Sequence, residues 1–231
     1  MLLAEIEIWH TRPLTPTRRV SLGHLVLPAD PAPGFGGLLL GAVVARHIVD
    51  VDDDLVADTH RLILQVQRGE RVAQPRLRHR YQVDRHGMAR SSHRLIGEGN
   101  DFSFEFDTFG SPMQQVLGSV YALERLEPGV RSSLGPILTK AMNWRGPLGT
   151  AFVAHLVGSQ STSLRSIGDP RAWALEILGF PPGTLKPAAS EVKARYRSIL
   201  REVHPDVGGD ERRASTEIGD LGEARRILLQ G

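Results

Sequence analysis

The 231-residue chain is 41% hydrophobic and 23% charged, ordinary globular usage with enough apolar side chain to bury a core. Its 28 basic and 26 acidic side chains leave a net charge of only +2, so neither nucleic acid nor membrane is an expected partner, and any basic surface must be local. There is no cysteine, which removes disulfides, thiolate zinc sites, iron–sulfur clusters and cysteine nucleophiles together.

The opening stretch Met1 to Trp9 sets acids among apolar residues and does not read as a signal peptide. The most apolar run, Leu38 to Val44, is far shorter than the roughly 20 residues a membrane span takes. Both point to a soluble, cytoplasmic protein.

Along the first two thirds, apolar and polar residues alternate as in half-buried strands. Ile6 and Ile8 alternate with Glu5 and Glu7, and Leu62, Leu64 and Val66 alternate across Arg61 to Gln67, interrupted by Ile63. Leu77, Tyr81 and Val83 point one way and Arg76, Arg78 and Arg80 the other. Phe102, Phe104 and Phe106 alternate with Asp101, Ser103, Glu105 and Asp107, the cleanest strand pattern in the chain. Turn-formers at Pro31 to Gly37, Arg68 to Glu70, Asp84 to Gly87 and Gly97 to Asn100 punctuate these runs. Ser111-Pro112 then reads as a helix start, followed by Val116, Leu117, Val120, Tyr121 and Leu123 at helical spacing and ended by Pro128-Gly129.

From Gly158 to Ser166 the composition is that of a flexible linker, and beyond it the period becomes helical. Asp169-Pro170 opens a helix that Gly179 closes around Trp173, Ile177 and Leu178. A second begins near Pro187 and runs to Val203, with Val192, Tyr196, Ile199, Leu200 and Val203 on one face. A third begins at Asp210 and carries Ile218, Leu221, Ala224 and Leu228. The expected class is therefore α+β: a mainly antiparallel β domain with at least one helix over 1–157, a linker over 158–168, and a small three-helix domain over 169–231.

The segment Ala174 to Gly179, the run Glu191 to Asp206 and the apolar spacing of the third helix together resemble the J-domain of DnaJ-type co-chaperones, over roughly residues 170 to 230. Several independent features carry the resemblance: the leucine-glycine end of the first helix, Tyr196 eight residues before His204, and His204-Pro205-Asp206 itself. In that family the tripeptide loop docks on a DnaK-type ATP-dependent chaperone and promotes hydrolysis. The chemistry is suitable: Pro205 fixes φ, Asp206 offers two acceptor oxygens to a partner arginine, and His204 donates without permanent charge. Lys193, Arg197 and Arg201 recur every fourth residue and form one basic stripe leading towards His204. The resemblance implies that this stripe meets an acidic chaperone surface, with Tyr196 a second-rank contact and Trp173 a core aromatic. Read without the resemblance, the stripe is a solvated face laced with Glu191 and Glu202.

The match has departures. Gly219 and Gly222 each cost the third helix about 1 kcal/mol and invite fraying. Ile218 stands where the family usually has an aromatic, and Arg225 where it often has tyrosine. The missing cysteines exclude the zinc repeats of the longest DnaJ proteins, and Gly34-Phe35-Gly36-Gly37 is an isolated turn, not a glycine-phenylalanine segment.

Other constellations say less. Asp50, Asp52, Asp53 and Asp54 suggest calcium, but Leu55 and Arg61 stand where an EF-hand needs glycine and glutamate, so an acidic turn is expected. His79, His86 and His93 recur every seven residues without a fourth zinc ligand. Arg76, Arg78 and Arg80 read as a solvated strand face. No phosphate-binding glycine loop, nucleophile elbow or metalloprotease helix is present. The expectation is a binding module, not an enzyme, with no cofactor or metal. Its partners are the chaperone and an unknown client chosen by the N-terminal domain. Two alternatives stand beside it: a scaffold whose J-like module is uncoupled from chaperone, and an unidentified N-terminal enzyme with a recruiting J-domain.

Overall fold

Ile6 and Ile8, alternating with Glu5 and Glu7, build the centre of a sheet in the computed structural model, which describes residues 1–12, 18–72, 77–99, 101–158, 164–203 and 211–230. Strand β1 (Leu2–His10) pairs antiparallel with β2 (Arg19–Val26) on one side and β4 (Ala89–Glu98) on the other. The edge strands are β3 (Arg80–Tyr81), parallel to β2, and β5 (Asp101–Phe106), antiparallel to β4, giving the order β3-β2-β1-β4-β5. Ala4, Ile6 and Ile8 are fully buried on one face. On the other, Glu5 pairs with Arg94 and Glu7 with Arg90, both at 2.7 Å. Arg94 holds the Glu5 carboxyl below its ordinary range against the opposing effect of burial.

Helices cover the apolar face. Helix α1 (Gly34–Ile48) is apolar almost all round and correspondingly buried almost all round. It packs against the sheet, α3 (Pro112–Ala122) and α4 (Pro128–Met142). Helix α2 (Asp53–Gln67) packs on α3 and α4, and α5 (Thr150–Val157) closes against α4 and α1. Ser111 caps α3 through a capping box with Gln114. Gly118 lets α3 approach the sheet closely: a Cβ there would lie 2.6 Å from the Ile8 side chain.

The α+β class is as expected, but helix takes a larger part of residues 1–157 than the alternation suggests. Leu62, Leu64 and Val66 lie on helix α2, where Thr59, Leu62, Ile63 and Val66 form the buried face. Ile63, which broke the alternation, was the helical signal. Pro128 does not end a helix but opens α4 at its first turn, where its missing N–H costs nothing. Gly34 to Gly37, expected in a turn, is the start of α1. The strand expected across Leu77 to Val83 shrinks to Arg80–Tyr81: Leu77 and Arg78 have positive φ and Val83 is 76% exposed. Arg78 pairs with Asp54 at 3.8 Å, and Arg76 lies outside the described residues. The acidic cluster forms a turn and then the N-terminus of α2, with Asp53 and Asp54 in its first turn, where the helix dipole favours them.

The chain divides into two compact units, Met1–Val157 and Gly158–Gly231. The second contains α6 (Leu164–Gly168), a short helix within the stretch read as linker, then α7 (Pro170–Ile177), α8 (Ala189–Val203) and α9 (Glu211–Gln230). Asp169 caps α7 by accepting from Ala172 N (2.9 Å). Gly179, at φ +64°, ends that helix in the left-handed region that favours glycine. Trp173, Leu178, Phe180, Val192, Leu221, Ala224 and Leu228 form one buried cluster. Helix α9 runs through both Gly219 and Gly222. Among the described residues no helix is long and apolar enough to cross a membrane.

Candidate functional site

Helix α8 turns its apolar residues inward and its cations outward. Val192 is fully buried, while Tyr196, Ile199 and Val203 are partly buried and pack on the same cluster. Lys193, Arg197 and Arg201 are all exposed. Arg197 Nε donates to Lys193 O (3.1 Å) and Arg201 Nε to Arg197 O (3.0 Å), which lays the two guanidinium stems along the helix in one line. No carboxylate pairs with these cations among the described residues.

Glu191, one of the acids expected to lace the stripe, pairs instead with Arg195 at 3.4 Å. Arg195 belongs to a different face. Its guanidinium lies 4.5 Å from the centre of the Phe180 ring and also donates to Gly179 O, so it pins the α7–α8 turn to α8. Sequence reading passed over Arg195, and only its place one residue before Tyr196 hinted at an inward role. Tyr196 is half-buried, with the Arg225 guanidinium 5.0 Å from its ring centre. The residue marked as a departure in α9 thus packs on the aromatic of α8. Trp173, 6% exposed, sits in the core as expected. His204, Pro205 and Asp206 lie outside the described residues.

The other concentration of polar groups is buried between the sheet and the helices of the first unit. His10 Nε2 and Ser91 Oγ are 2.8 Å apart, and Ser91 Oγ donates to Phe109 O (2.9 Å). Gln115 Nε2 donates to Ser91 Oγ (3.0 Å), while Gln115 Oε1 accepts from His93 Nε2 (2.9 Å). The His93 ring lies 5.8 Å from that of His47. His10 Nδ1, His47 Nε2 and His93 Nδ1 have no hydrogen-bond partner among the described residues. Burial drives the His47 pKa down to about 4, helped by His93 and Arg46, and burial lowers His10 and His93 as well. Although Ser91 and His10 have the pairing of a nucleophile and base, both are at most 2% exposed and offer the hydroxyl no open approach. The cluster organises a core.

His79, His86 and His93 do not converge. His79 is buried with Nδ1 2.8 Å from Leu77 O, His86 is exposed on a turn, and His93 faces Gln115. Among the described residues no group of three or more histidine or carboxylate side chains is arranged to hold a metal. No protein-family model matches the chain, and comparison with curated proteins and with solved structures finds no match either.

Proposed function

We propose that the chain is a cytoplasmic J-domain co-chaperone: residues 169–231 stimulate the ATPase of a DnaK-type chaperone, and residues 1–157 hold the client or site to which that chaperone is directed. The observation that carries the reading is the line of exposed cations Lys193, Arg197 and Arg201, without a carboxylate partner among the described residues, which in sequence runs straight to His204-Pro205-Asp206. A helix needing only solubility would more readily mix signs along such a face, as Glu191 and Arg195 do beside it.

The stripe supplies long-range attraction to an acidic surface and sets the register of docking. His204-Pro205-Asp206 then offers a proline of fixed φ between a donor and a two-oxygen acceptor. Hydrolysis takes place in the partner, so this chain contributes no catalytic residue. The test is a steady-state ATPase assay with the DnaK-type chaperone of the same organism. Wild type accelerates hydrolysis, whereas His204→Gln and Asp206→Asn do not. Lys193→Glu with Arg197→Glu raises the half-maximal concentration by about tenfold at low salt, and the gap narrows as salt rises. Absence of stimulation by wild type, or equal stimulation by the tripeptide variants, overturns the reading.

A further inference from the structure

The sheet has two edges of unequal length: β3 has two residues and β5 six. Hydrogen bonds fix which way each residue of β5 faces. Asp107 N donates to Ser92 O (3.2 Å), and Gly97 N, on the opposite side of β4, donates to Met1 O (2.8 Å). Backbone groups alternate along a strand, so the even residues of β4 address β5 and the odd ones β1. Arg94, Ile96 and Glu98 stand opposite Glu105, Ser103 and Asp101. The main chains of those three β5 residues therefore turn inward to β4. Those of Phe102, Phe104 and Phe106 turn outward, and no hydrogen bond to them is found among the described residues.

The two faces of this edge differ. Phe102, Phe104 and Phe106 are only half-buried on the helical side, where Phe104 meets the buried Phe152 edge-on at 6.2 Å. On the other side Asp101, Ser103 and Glu105 are exposed, and neither acid has an ion-pair partner among the described residues. Arg94, opposite Glu105, is bonded to Glu5 instead. A second copy of the chain added edge to edge would set these acids against each other, which disfavours self-pairing. A strand with basic residues on that face and apolar ones on the phenylalanine face would satisfy both.

We propose that the free edge of β5 is a docking strand for an extended polypeptide segment that alternates basic and apolar residues, bound through the backbone of Phe102, Phe104 and Phe106. The site stands on the sheet alone and does not depend on the chaperone reading; within that reading the segment belongs to the client. The test uses the full chain and a fluorescent peptide of alternating lysine and valine. The controls are a peptide of the same composition in two blocks and an alternating one N-methylated at every second residue. The alternating peptide binds, and both controls bind at least roughly tenfold more weakly. Asp101→Lys with Glu105→Lys weakens binding to a similar extent, and in wild type the peptide slows amide exchange at Phe102, Phe104 and Phe106. No binding, equal binding of the block peptide, or slowed exchange elsewhere but not in β5 overturns the proposal. Because no chaperone is present, this outcome is independent of the ATPase assay.

Discussion

The unit formed by Gly158–Gly231 closes around Trp173, Leu178, Phe180, Val192 and Leu221, none of which titrates near neutrality, and carries its cations outside on α8. The unit formed by Met1–Val157 does the reverse with part of its polar material. It places His10, Ser91, His93 and Gln115 at 2% exposure or less, between the sheet and its helices. The first arrangement builds its core from area and shape, with its cations on the outside of α8. The second ties strand β4 to strand β1 and helix α3 through hydrogen bonds that are satisfied in one register only, so its polar groups specify the fold. The two units should therefore respond to different perturbations.

Removing core volume tests this most severely. Trp173→Ala should cost about 3–5 kcal/mol, comparable with the whole stability of so small a unit. Denaturant unfolding should then show the transition of the C-terminal unit lost and that of the N-terminal unit retained. Simultaneous loss of both would mean that the units fold as one, and the contrast would fail.

Acid should act on the other unit. His47 titrates near 6.5 when unfolded and only at about 4 when folded, so between these values the unfolded chain binds more protons. Stability is then full above pH 6.5 and declines as pH falls towards 4, by at most about 3 kcal/mol from this residue. His10 and His93, also lowered by burial, act in the same direction. The salt-bridged Glu5 and Glu7 begin to add their own acid lability only below about 4.5, the ordinary value from which both are lowered. Residues 158–231 contain a single histidine, against eight in the N-terminal unit. Thermal unfolding from pH 7 to 5 should lower the N-terminal transition and leave the C-terminal one nearly fixed. Equal movement of both would remove the distinction. Within the cluster, Gln115→Met keeps the shape but strands His93 Nε2 and removes one of the three partners of Ser91 Oγ, and should cost about 2 kcal/mol in the same transition.

How much of this was legible follows from where each signal is carried. The C-terminal helices announce themselves by caps and period: Asp169-Pro170, Gly179 and the spacing of Val192 to Val203 lie within single elements. In the N-terminal unit the edge strand Asp101–Phe106 and the helix behind Ser111 were equally local, and both are present. Helix α2 was misread because three alternating positions, Leu62, Leu64 and Val66, fit a strand as well as a helix until Ile63 is counted. The strand across Leu77 to Val83 failed because its backbone enters the left-handed region at Leu77 and Arg78, which no residue type there announces. The polar cluster was invisible for another reason: His10, Ser91 and Gln115 are far apart in sequence and meet only once the sheet is built. The basic stripe was legible because helical spacing alone sets its residues on one face.

The finest comparison uses one substitution in both units. A Cβ at Gly222 of α9 would meet nothing within 4 Å, so Gly222→Ala removes unfolded-chain freedom without a clash. It should raise the stability of the C-terminal unit by about 1 kcal/mol. At Gly118 of α3 the same Cβ would come within 2.6 Å of Ile8, whose side chain is fully buried and cannot swing away. There the helix-propensity gain is outweighed by overpacking that costs about 1–3 kcal/mol, and Gly118→Ala should destabilise the N-terminal unit. Opposite signs in the two unfolding transitions are expected. If Gly222→Ala lowers stability instead, α9 is packed at that point, and Gly222 belongs to an interface that its open surroundings do not reveal.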